Sequence, residues 1–546
     1  MQLYNEFSIE SWNENGQLEN FELKYPDNYN FGYDVVDRFA KEAPDTLAMV
    51  WRNPKIGDRT FTFSEISKLS NQAANVFKAK GIKKGDNVLV ILKRHYEYWF
   101  VAVALHKLGA VLIPATHMLK VDDITYRVTT ANIRAVIGTP DGHTLENLLE
   151  ARKQCTQLET IFTVRKDFDG VNNLTAEMEN ASEELERIPT NVYEPMITYF
   201  TSGTTGYPKA VIHDHTYSIS HILTARHWQN VKEGGLHLTV SETGWGKASW
   251  GKIYGQWICG CAVMVYDFDI FSPTKLLSLI SEFKITSFCA PPTVYRYFVK
   301  YGMDKYDLSS LEHITTAGEA LNPEVFNKVK EQTGLNLMEG FGQTESVLML
   351  ANLTNSVSKP GSMGKPTPIY RTAIVDSDCN ELPVGEAGEL VVIPDKTKHQ
   401  HGIFMGYCGD DELYKHVWRG GVYHTGDTAW VDEDGYYWYV GRVDDLIKTR
   451  GFRVGPFEIE NILIQHPAVM ECAVYGVPDE TRGNLIKATV ILADGYEKTK
   501  ELRNEILKFT NNSLASYKWI TSLEFADEMP KTISGKIRRV ELKEKQ

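Results

Sequence analysis

The sequence predicts an α/β fold: a large N-terminal domain of parallel-rich sheets flanked by helices, with a β subdomain, followed by a small mobile α+β domain. The first observation is a strand–helix–strand rhythm at residues 87–92, 97–108 and 110–114, which is typical of parallel sheets with helices on their faces. The second is a change of pattern after Pro366, where short β runs bounded by turns replace that rhythm.

Individual elements follow these two patterns. The helix at residues 97–108 is expected to end at Gly109, because glycine readily takes the left-handed conformation that closes helices. The segment 432–436 indicates the turn of a β-hairpin. The other elements of the large region are predicted at residues 263–266, 276–283, 287–290, 373–375 and 388–392.

A domain boundary is predicted at Asp444. At 546 residues the chain is too long for one compact core. The polar segment 441–445 precedes a stretch that looks like a small α+β unit, and we expect domains at residues 1–443 and 444–546. The elements of the small unit are predicted as a helix at 456–463, strands at 471–475 and 486–492, and a helix at 499–509.

Composition and charge exclude several classes of function. Hydrophobic residues make up 42% of the chain and charged residues 24%, as in ordinary globular proteins. The net charge of −13 argues against a nucleic-acid partner, which would need a basic surface. The sequence shows no signal-peptide pattern and no uncharged apolar run of about twenty residues, the length of a membrane span. We therefore expect a cytoplasmic protein without a membrane span.

A segment rich in glycine and hydroxyl residues, placed after a predicted strand, is the strongest single motif. Its backbone amides and hydroxyls can wrap phosphate oxygens, and a lysine adds positive charge. It is not an ordinary P-loop, which ends in Gly-Lys-Ser/Thr, because a proline precedes the lysine. A flexible surface loop is the alternative for such a composition. The candidate phosphate ligands are Thr201, Ser202, Gly203, Thr204, Thr205, Gly206 and Lys209.

Six further motifs follow this segment: residues 316–320 (TAGEA), 340–345 (GFGQTE), 423–427 (YHTGD), 441–445 (GRVDD), 451–455 (GFRVG) and 530–536 (PKTISGK). In this order, they resemble the motifs of the acyl-adenylate-forming enzymes, which include acyl-CoA synthetases, luciferases and peptide-synthetase adenylation domains. The resemblance runs from about residue 50 to residue 540. Within that family the chain is most similar to the medium-chain acyl-CoA synthetases, through residues 119–127 and 243–250.

The resemblance implies how the adenine end of a nucleotide is held. The 316–320 motif follows a strand, and its backbone atoms would lie directly against a flat ring such as adenine. Taken alone it is equally typical of any helix that starts after a strand. The residues that the resemblance assigns to the nucleotide in this part of the chain are Gly318, Glu319, Ala320, Gly340, Phe341, Gly342 and Gln343.

The phosphate and ribose contacts are implied in the same way. Thr344 is matched to the threonine that contacts the α-phosphate, and Glu345 to the glutamate that holds Mg²⁺, a hard cation suited to carboxylate oxygens. Asp427 resembles the aspartate that accepts hydrogen bonds from both ribose hydroxyls. Arg442 and Arg453 are implied as further contacts to the ribose, phosphate or adenylate. Alone, each could be an ordinary surface charge.

Three positions in the C-terminal region also receive roles from the resemblance. Lys536 is implied as a catalytic lysine that reaches the attacking carboxylate and the α-phosphate, where a cation suppresses repulsion between two anions. Without the resemblance, its basic neighbourhood would indicate a solvated tail. Asp444 is implied as a hinge between two catalytic states, and Gly451 as a contact for coenzyme A.

The function implied by the resemblance is that of an AMP-forming acyl-CoA synthetase. The acid and ATP give acyl-AMP and pyrophosphate, with Lys536, Thr344 and Glu345 as catalytic residues. Coenzyme A then takes the acyl group and AMP is released. The expected cofactors and substrates are therefore ATP, Mg²⁺, coenzyme A and a small carboxylic acid. Homo-oligomer formation is left open.

An acyl pocket is predicted at Trp245, Trp250 and Gly342. In relatives restricted to acetate, the position of Gly342 resembles a tryptophan that closes the pocket. Glycine here predicts room for a medium-chain, branched or aromatic acid, since each buried methylene contributes about 0.8 kcal/mol. One alternative is that Gly342 is needed only for the backbone conformation and that another side chain fills the pocket. Another is that the two tryptophans belong to the hydrophobic core.

Other functions remain as alternatives. An acyl-adenylating ligase could deliver to another acceptor, as a peptide-synthetase domain does, but the wall at residues 243–257 lacks an obvious aspartate for an amino group. A luciferase-like oxygenase and a non-catalytic nucleotide-binding regulator are two more. His213 and His215 flank Asp214, but two histidines without further ligands do not predict a zinc site.

Overall fold

The structure of the protein is a computed structural model. It describes residues 1–201, 207–450, 452–479, 481–532 and 537–544, without the side chain of Arg453. The predictions that lie outside the described residues are those for Ser202, Gly203, Thr204, Thr205, Gly206, Gly451 and Lys536, and for the side chain of Arg453.

The first sheet of the large region is mostly parallel, with antiparallel strands at one edge. The strands at its centre are parallel. At the antiparallel edge, the strands before and after the predicted phosphate segment pair as a hairpin. From edge to edge it contains β21 (Gly406–Tyr407), β11 (Lys209–Asp214), β10 (Pro195–Thr201), β6 (Val111–Pro114), β5 (Asn87–Ile91), β7 (Ile133–Gly138), β8 (Thr160–Thr163) and β9 (Asn172–Asn173).

The second sheet is parallel from β16 to β3 and antiparallel at both edges. Its central strands are buried along their whole length, as expected for strands covered on both faces. In order it contains β18 (Lys365–Pro366), β17 (Leu350–Ala351), β16 (Leu337–Phe341), β15 (His313–Thr316), β14 (Ser287–Ala290), β12 (Leu236–Thr239), β13 (Ala262–Tyr266), β3 (Leu47–Asn53) and β4 (Gly57–Thr62).

Helices connect these strands, and their ends follow from local sequence. A capping box of Thr62 and Glu65 starts α3. Helix α4 is buried at every residue and ends, as predicted, at Gly109, whose φ is 68°. The helices are α1 (Tyr4–Phe7), α2 (Arg38–Glu42), α3 (Phe63–Ala79), α4 (Glu97–Leu108), α5 (Val121–Thr130), α6 (Thr144–Arg152), α7 (Leu174–Met178), α8 (Thr216–Ile222), α9 (Lys247–Gly251), α10 (Tyr254–Ile258), α11 (Pro273–Glu282), α12 (Pro292–Tyr301) and α13 (Pro323–Thr333).

The region after Pro366 is antiparallel, as its changed pattern predicts. Its sheet closes with a hairpin whose turn is at residues 432–435, in agreement with the sequence. A separate hairpin lies at the N-terminus. The elements are β1 (Ser8–Trp12), β2 (Leu18–Leu23), β19 (Arg371–Val375), β20 (Gly388–Ile393), α14 (Asp411–Val417), β22 (Tyr423–Val431) and β23 (Tyr437–Arg442).

The last part of the chain forms a small α+β unit with a hydrophobic core of its own, built from residues 447 to 523. Its first long strand extends beyond the predicted 471–475, because it pairs with the next strand over its whole length. The elements are β24 (Ile447–Thr449), β25 (Phe452–Val454), α15 (Pro456–Leu463), β26 (Val469–Asp479), β27 (Gly483–Leu492), α16 (Lys500–Asn512), β28 (Ser522–Phe525) and α17 (Arg539–Glu544).

The predicted α/β class is thus confirmed. Several predicted boundaries are displaced: the helix expected at 276–283, for example, begins at Pro273, because the side chain of Ser272 caps it. Within the described residues, no helix combines the length and the apolar character that crossing a membrane requires.

Candidate active site

Strands from both sheets end at one cavity of about 1090 Å³. Strand β10 ends at Thr201, β15 at Thr316 and β16 at Phe341. The carboxyl ends of parallel strands are where α/β proteins usually bind ligands. The predicted site residues that line this cavity are Thr201, Lys209, Trp245, Gly318, Glu319, Ala320, Gly340, Phe341, Gly342, Gln343, Thr344, Glu345, Asp427, Arg442 and Asp444.

The side of the cavity predicted to bind phosphate combines a lysine, a tyrosine and a glutamate. The Tyr407 hydroxyl donates a hydrogen bond of 2.9 Å to Oε1 of Glu345. Burial raises the pKa of Tyr407, and the neighbouring Glu345 carboxylate adds to this, so the hydroxyl stays protonated and remains a donor. The ammonium of Lys209 lies 5.7 Å from the centre of the Tyr407 ring. Tyr407 therefore links Lys209 to the carboxylate predicted to hold a metal ion.

The backbone of Thr344 is fixed by a buried histidine. Nε2 of His213 lies 2.7 Å from the carbonyl oxygen of Thr344. Burial lowers the pKa of His213 to about 4, so the imidazole is neutral at neutral pH and its Nε2–H donates to the carbonyl. Nothing in the sequence around His213 indicates a place beside the predicted catalytic threonine.

The ribose side is built around Gln343. Its amide nitrogen donates to Oδ2 of Asp427 at 2.6 Å and to the carbonyl of Thr425 at 2.8 Å, and its amide oxygen accepts from the Tyr423 hydroxyl at 2.7 Å. Arg442 binds the same Thr425 carbonyl at 2.8 Å and pairs with Asp427 at 3.3 Å. Gln343 thus forms hydrogen bonds within the protein and orients Asp427, while the nucleotide contact predicted for it stays a prediction.

The predicted adenine side contains a buried carboxyl group that the sequence did not single out. Glu339 accepts a hydrogen bond from the backbone of Leu321 through Oε1, while its Oε2 has no partner among the described residues. Burial raises the pKa of Glu339 well above its ordinary value and so favours the protonated form. The predicted Glu319 is more exposed, and its carboxylate accepts from the Thr293 hydroxyl at 2.7 Å.

The acyl side of the cavity corrects one expectation. Trp245 lines the cavity, and the neighbouring Gly246 faces Thr344, whose Cγ2 would lie 3.9 Å from a Cβ at that glycine. Trp250, in contrast, is buried beneath Gly342: a Cβ on Gly342 would lie 2.5 Å from Cη2 of its indole. The expectation that Gly342 leaves open space is therefore wrong in this conformation, because the Trp250 ring occupies that space.

The small C-terminal unit contributes one face to the cavity. Thr532 and Ile537, the described residues on either side of residues 533–536, both line it. In the β24–β25 hairpin, which flanks Gly451, Phe452 stacks on Tyr517 at a centroid distance of 4.3 Å and does not belong to the lining. The unit therefore presents Thr532 and Ile537 to the cavity, rather than the face at Phe452.

Three residues that contact or line the predicted site were not assigned to it from the sequence: Tyr407, His213 and Glu339. Glu339 could have been found, because it stands directly before the 340–345 motif. The other two are distant in sequence from the residues they hold, and nothing in their own neighbourhoods points to that contact. Their roles depend on the pairing of β11 with β21 and with β10.

We predict that Gly342→Ala destabilises the fold, because the new Cβ would lie 2.7 Å from the carbonyl oxygen of Val347 and 2.5 Å from Trp250. Overpacking of this kind costs about 1–3 kcal/mol in the free energy of unfolding, measurable by urea denaturation. Gly406→Ala is the control, since a Cβ there meets nothing within 4 Å. Equal stability of Gly342→Ala and the wild type would mean that Trp250 is not held against this backbone.

Comparison with known proteins agrees with this architecture. The family model described as AMP-binding enzyme matches residues 36–408, and the model of the AMP-binding enzyme C-terminal domain matches residues 458–536. The chain is 37% identical to acyl-coenzyme A synthetase ACSM3, mitochondrial, of Homo sapiens, over 97% of this chain and 91% of that protein. It is also 37% identical to 4-hydroxybutyrate–CoA ligase 1 of Metallosphaera sedula, over 95% of this chain and 91% of that protein.

A solved structure has the same fold. The anthranilate CoA ligase AuaEII, in complex with anthranoyl-AMP, superposes with a TM-score of 0.87 at 28% identity, covering 95% of this chain and 98% of the other. The first family model alone covers more than half of the sequence, and the relatives match it over nearly its full length. The chain therefore belongs to the AMP-binding enzyme family.

Proposed function

We infer that this chain is an AMP-forming acyl-CoA synthetase, which joins a carboxylic acid to coenzyme A in two half-reactions. The observation that carries this inference is a single cavity whose lining includes Lys209, Glu345, Asp427 and Trp245. The relatives and the structural neighbour that match nearly the whole chain are acid–CoA ligases by name. A nucleotide and an acid fit side by side in such a cavity.

In the first half-reaction, the carboxylate of the acid attacks the α-phosphorus of ATP, and pyrophosphate leaves. Two anions must approach each other, so the barrier depends on donors and cations held in place beforehand. We propose that Lys209, the Thr344 hydroxyl and Lys536 supply them. The support for Lys536 is that its flanking residues Thr532 and Ile537 line the cavity. The backbone of Thr344 needs no rearrangement, because His213 already holds it.

The magnesium ion that the family uses fits Glu345. Across the described residues, no group of three or more His, Cys, Asp or Glu side chains could hold a metal ion by itself. Mg²⁺ commonly binds through one or two carboxylates together with substrate phosphates, so one carboxylate beside the phosphate side is sufficient. When bound, the ion neutralises phosphate charge. Tyr407 fixes one oxygen of Glu345 and so sets the direction of the carboxylate.

We propose that Asp427 binds the ribose hydroxyls and Glu339 the adenine. Gln343 and Arg442 hold the Asp427 carboxylate, so little side-chain entropy is lost when the ribose binds. Glu339 and Gly318 both belong to the lining, and Oε2 of Glu339 is unpartnered among the described residues. A buried polar atom without a partner is costly, and a ring nitrogen of the base would accept a hydrogen bond from the protonated Oε2.

The second half-reaction needs a different arrangement of the same cavity. We propose that the small unit rotates about Asp444, in the turn Val443–Asp445, and so replaces the Lys536 segment with the face around Gly451 and Arg453. Coenzyme A then attacks the acyl carbonyl and AMP leaves. The proposed domains are therefore residues 1–443 and 444–546, joined by one hinge. The two half-reactions require no covalent enzyme intermediate.

Location and assembly remain proposals. We propose that the enzyme is cytoplasmic and that its partners are small molecules only. The alternative location is the mitochondrion, which is printed in the name of one relative. Fractionation of the native cells, with immunodetection of the chain, distinguishes the two locations. A homo-oligomer is open to test by light scattering of the purified protein.

The test of the proposed function is acid-dependent exchange of labelled pyrophosphate into ATP, followed by AMP release that requires coenzyme A. We expect Lys536→Ala to lower the exchange rate about a hundredfold, because it removes a cation used in the transition state. Thioester formation from supplied acyl-AMP should persist. Lys498→Ala, a lysine of the same unit that pairs with Asp527, is the matched control. Equal loss in both half-reactions would contradict alternation, and no exchange with any acid would contradict the proposed function.

A second prediction concerns Tyr407→Phe, which deletes the hydroxyl that orients Glu345. Hydrogen bonds to charged groups contribute about 1.5–3 kcal/mol, so we expect at least a tenfold rise in the Mg²⁺ concentration for half-maximal exchange. Tyr437→Phe is the control, because its hydroxyl binds Thr372 in the β subdomain at 3.1 Å. An unchanged Mg²⁺ dependence in Tyr407→Phe would refute the proposed role of this tyrosine.

A third prediction concerns the hinge. Proline fixes φ and restricts the residue before it, so Asp444→Pro should favour one orientation of the small unit. We expect one half-reaction to fall at least tenfold more than the other, measured as exchange and as thioester formation from acyl-AMP. Circular dichroism of the variant controls for folding. If both rates fall equally in a folded protein, or neither changes, Asp444 is not the hinge.

A further inference from the structure

Arg539, the first residue of α17, binds three other elements of the small unit. Its Nη2 lies 2.7 and 2.8 Å from the two carboxylate oxygens of Glu460 in α15. Its Nε donates to the carbonyl of Val474 in β26 at 3.2 Å, and its Nη1 pairs with Asp445 at 3.4 Å. The side chain of Arg539 is 21% exposed and that of Glu460 13%, so solvent screens their ion pair only weakly.

This ion pair closes on the open edge of β26. The strand is at the edge of its three-stranded sheet, so half of its backbone groups lack a neighbouring strand. The N–H of Val474 donates to Oε1 of Glu460 at 2.7 Å, while the carbonyl of Val474 accepts from Arg539. The two side chains thus pair both backbone groups of one residue as well as each other. The guanidinium is therefore held in one orientation against the strand.

The backbone that precedes this anchor is bound to the start of the predicted lysine motif. The N–H of Arg538 donates to the carbonyl of Pro530 at 2.8 Å, and Lys531 and Ile537 pair as an antiparallel bridge. Lys531 also makes an ion pair of 2.9 Å with Glu471 of β26. The chain thus enters and leaves the segment that contains the predicted catalytic lysine side by side, with both ends bound to β26.

The anchor acts close to that lysine. Lys536 directly precedes Ile537, and consecutive Cα atoms are about 3.8 Å apart, so its backbone is near the cavity that Ile537 lines. Arg539 lies three residues further along the chain and lines the same cavity. A lysine side chain has many rotamers, so the direction in which its backbone is held decides how often the ammonium reaches a given point.

The ion pair with Asp445 connects the anchor to the proposed hinge. Asp445 directly follows Asp444, and two residues of α17 pair with it, Arg539 at 3.4 Å and Lys543 at 4.0 Å. A rotation about Asp444 would therefore carry the helix and the anchor together. The anchor does not have to break between the two half-reactions.

We propose that Arg539 is a positioning residue for the first half-reaction: its ion pair with Glu460 fixes the backbone from which Lys536 extends. The lysine ammonium is then held where the carboxylate of the acid meets the α-phosphate, and fewer conformations are lost in the transition state. This inference rests on the proposed function and deepens it. The alternative is that the ion pair only stabilises the small unit. Its loss would then affect both half-reactions and would add to the loss of the lysine.

The test is a double-mutant cycle on the separate half-reactions. We expect Arg539→Gln to lower acid-dependent pyrophosphate exchange at least about tenfold and to change thioester formation from supplied acyl-AMP less than about twofold. In the Lys536→Ala background, the same substitution should lower exchange no further, because a lysine that is absent cannot be misplaced. Arg539→Lys keeps the charge but not the planar set of donors, so we expect it to restore part of the exchange rate.

The matched control is Lys518→Gln. Lys518 pairs at 2.6 and 2.7 Å with Glu458, which lies on the same helix as Glu460, and the variant should keep both rates. Circular dichroism reports folding, and if Arg539→Gln does not fold, Arg539→Lys serves for the same cycle. Wild-type exchange in the folded variant, equal loss in both half-reactions, or a loss that adds fully to that of Lys536→Ala would overturn the inference. A wild-type enzyme without exchange would instead overturn the proposed function.

Discussion

The turn Gln343–Glu345 is the constraint on which the rest of the site depends, because each of its residues is bound to a different part of the fold. The side chain of Gln343 is held by β22 through Asp427, the backbone of Thr344 by β11 through His213, and the side chain of Glu345 by β21 through Tyr407. The turn therefore cannot shift without breaking contacts to two sheets. Fixed donors of this kind stabilise developing charge without reorganising during the reaction.

The proposed two-step reaction also requires contacts between the large region and the small unit that can be broken. Asn322 of the large region donates to the carbonyl of Asn461 at 3.2 Å, a polar contact of the kind that a rotating unit can break cheaply. Arg539, just after the Lys536 segment, pairs with Glu460 at 2.7 Å and with Asp445 at 3.4 Å. Both partners lie beyond Asp444, so these ion pairs would travel with the small unit.

The sequence predicted the fold class, most elements and the contiguous motifs, because their signals are local: periodicity, turn residues and short runs of defined chemistry. It could not predict contacts between strands that are neighbours only in the folded sheet. Tyr407 and Glu345 are 62 positions apart, and their meeting depends on the pairing of β21 with β11. Gly342 shows the same limit. The sequence identifies the glycine, but it does not reveal that the Trp250 indole packs against it.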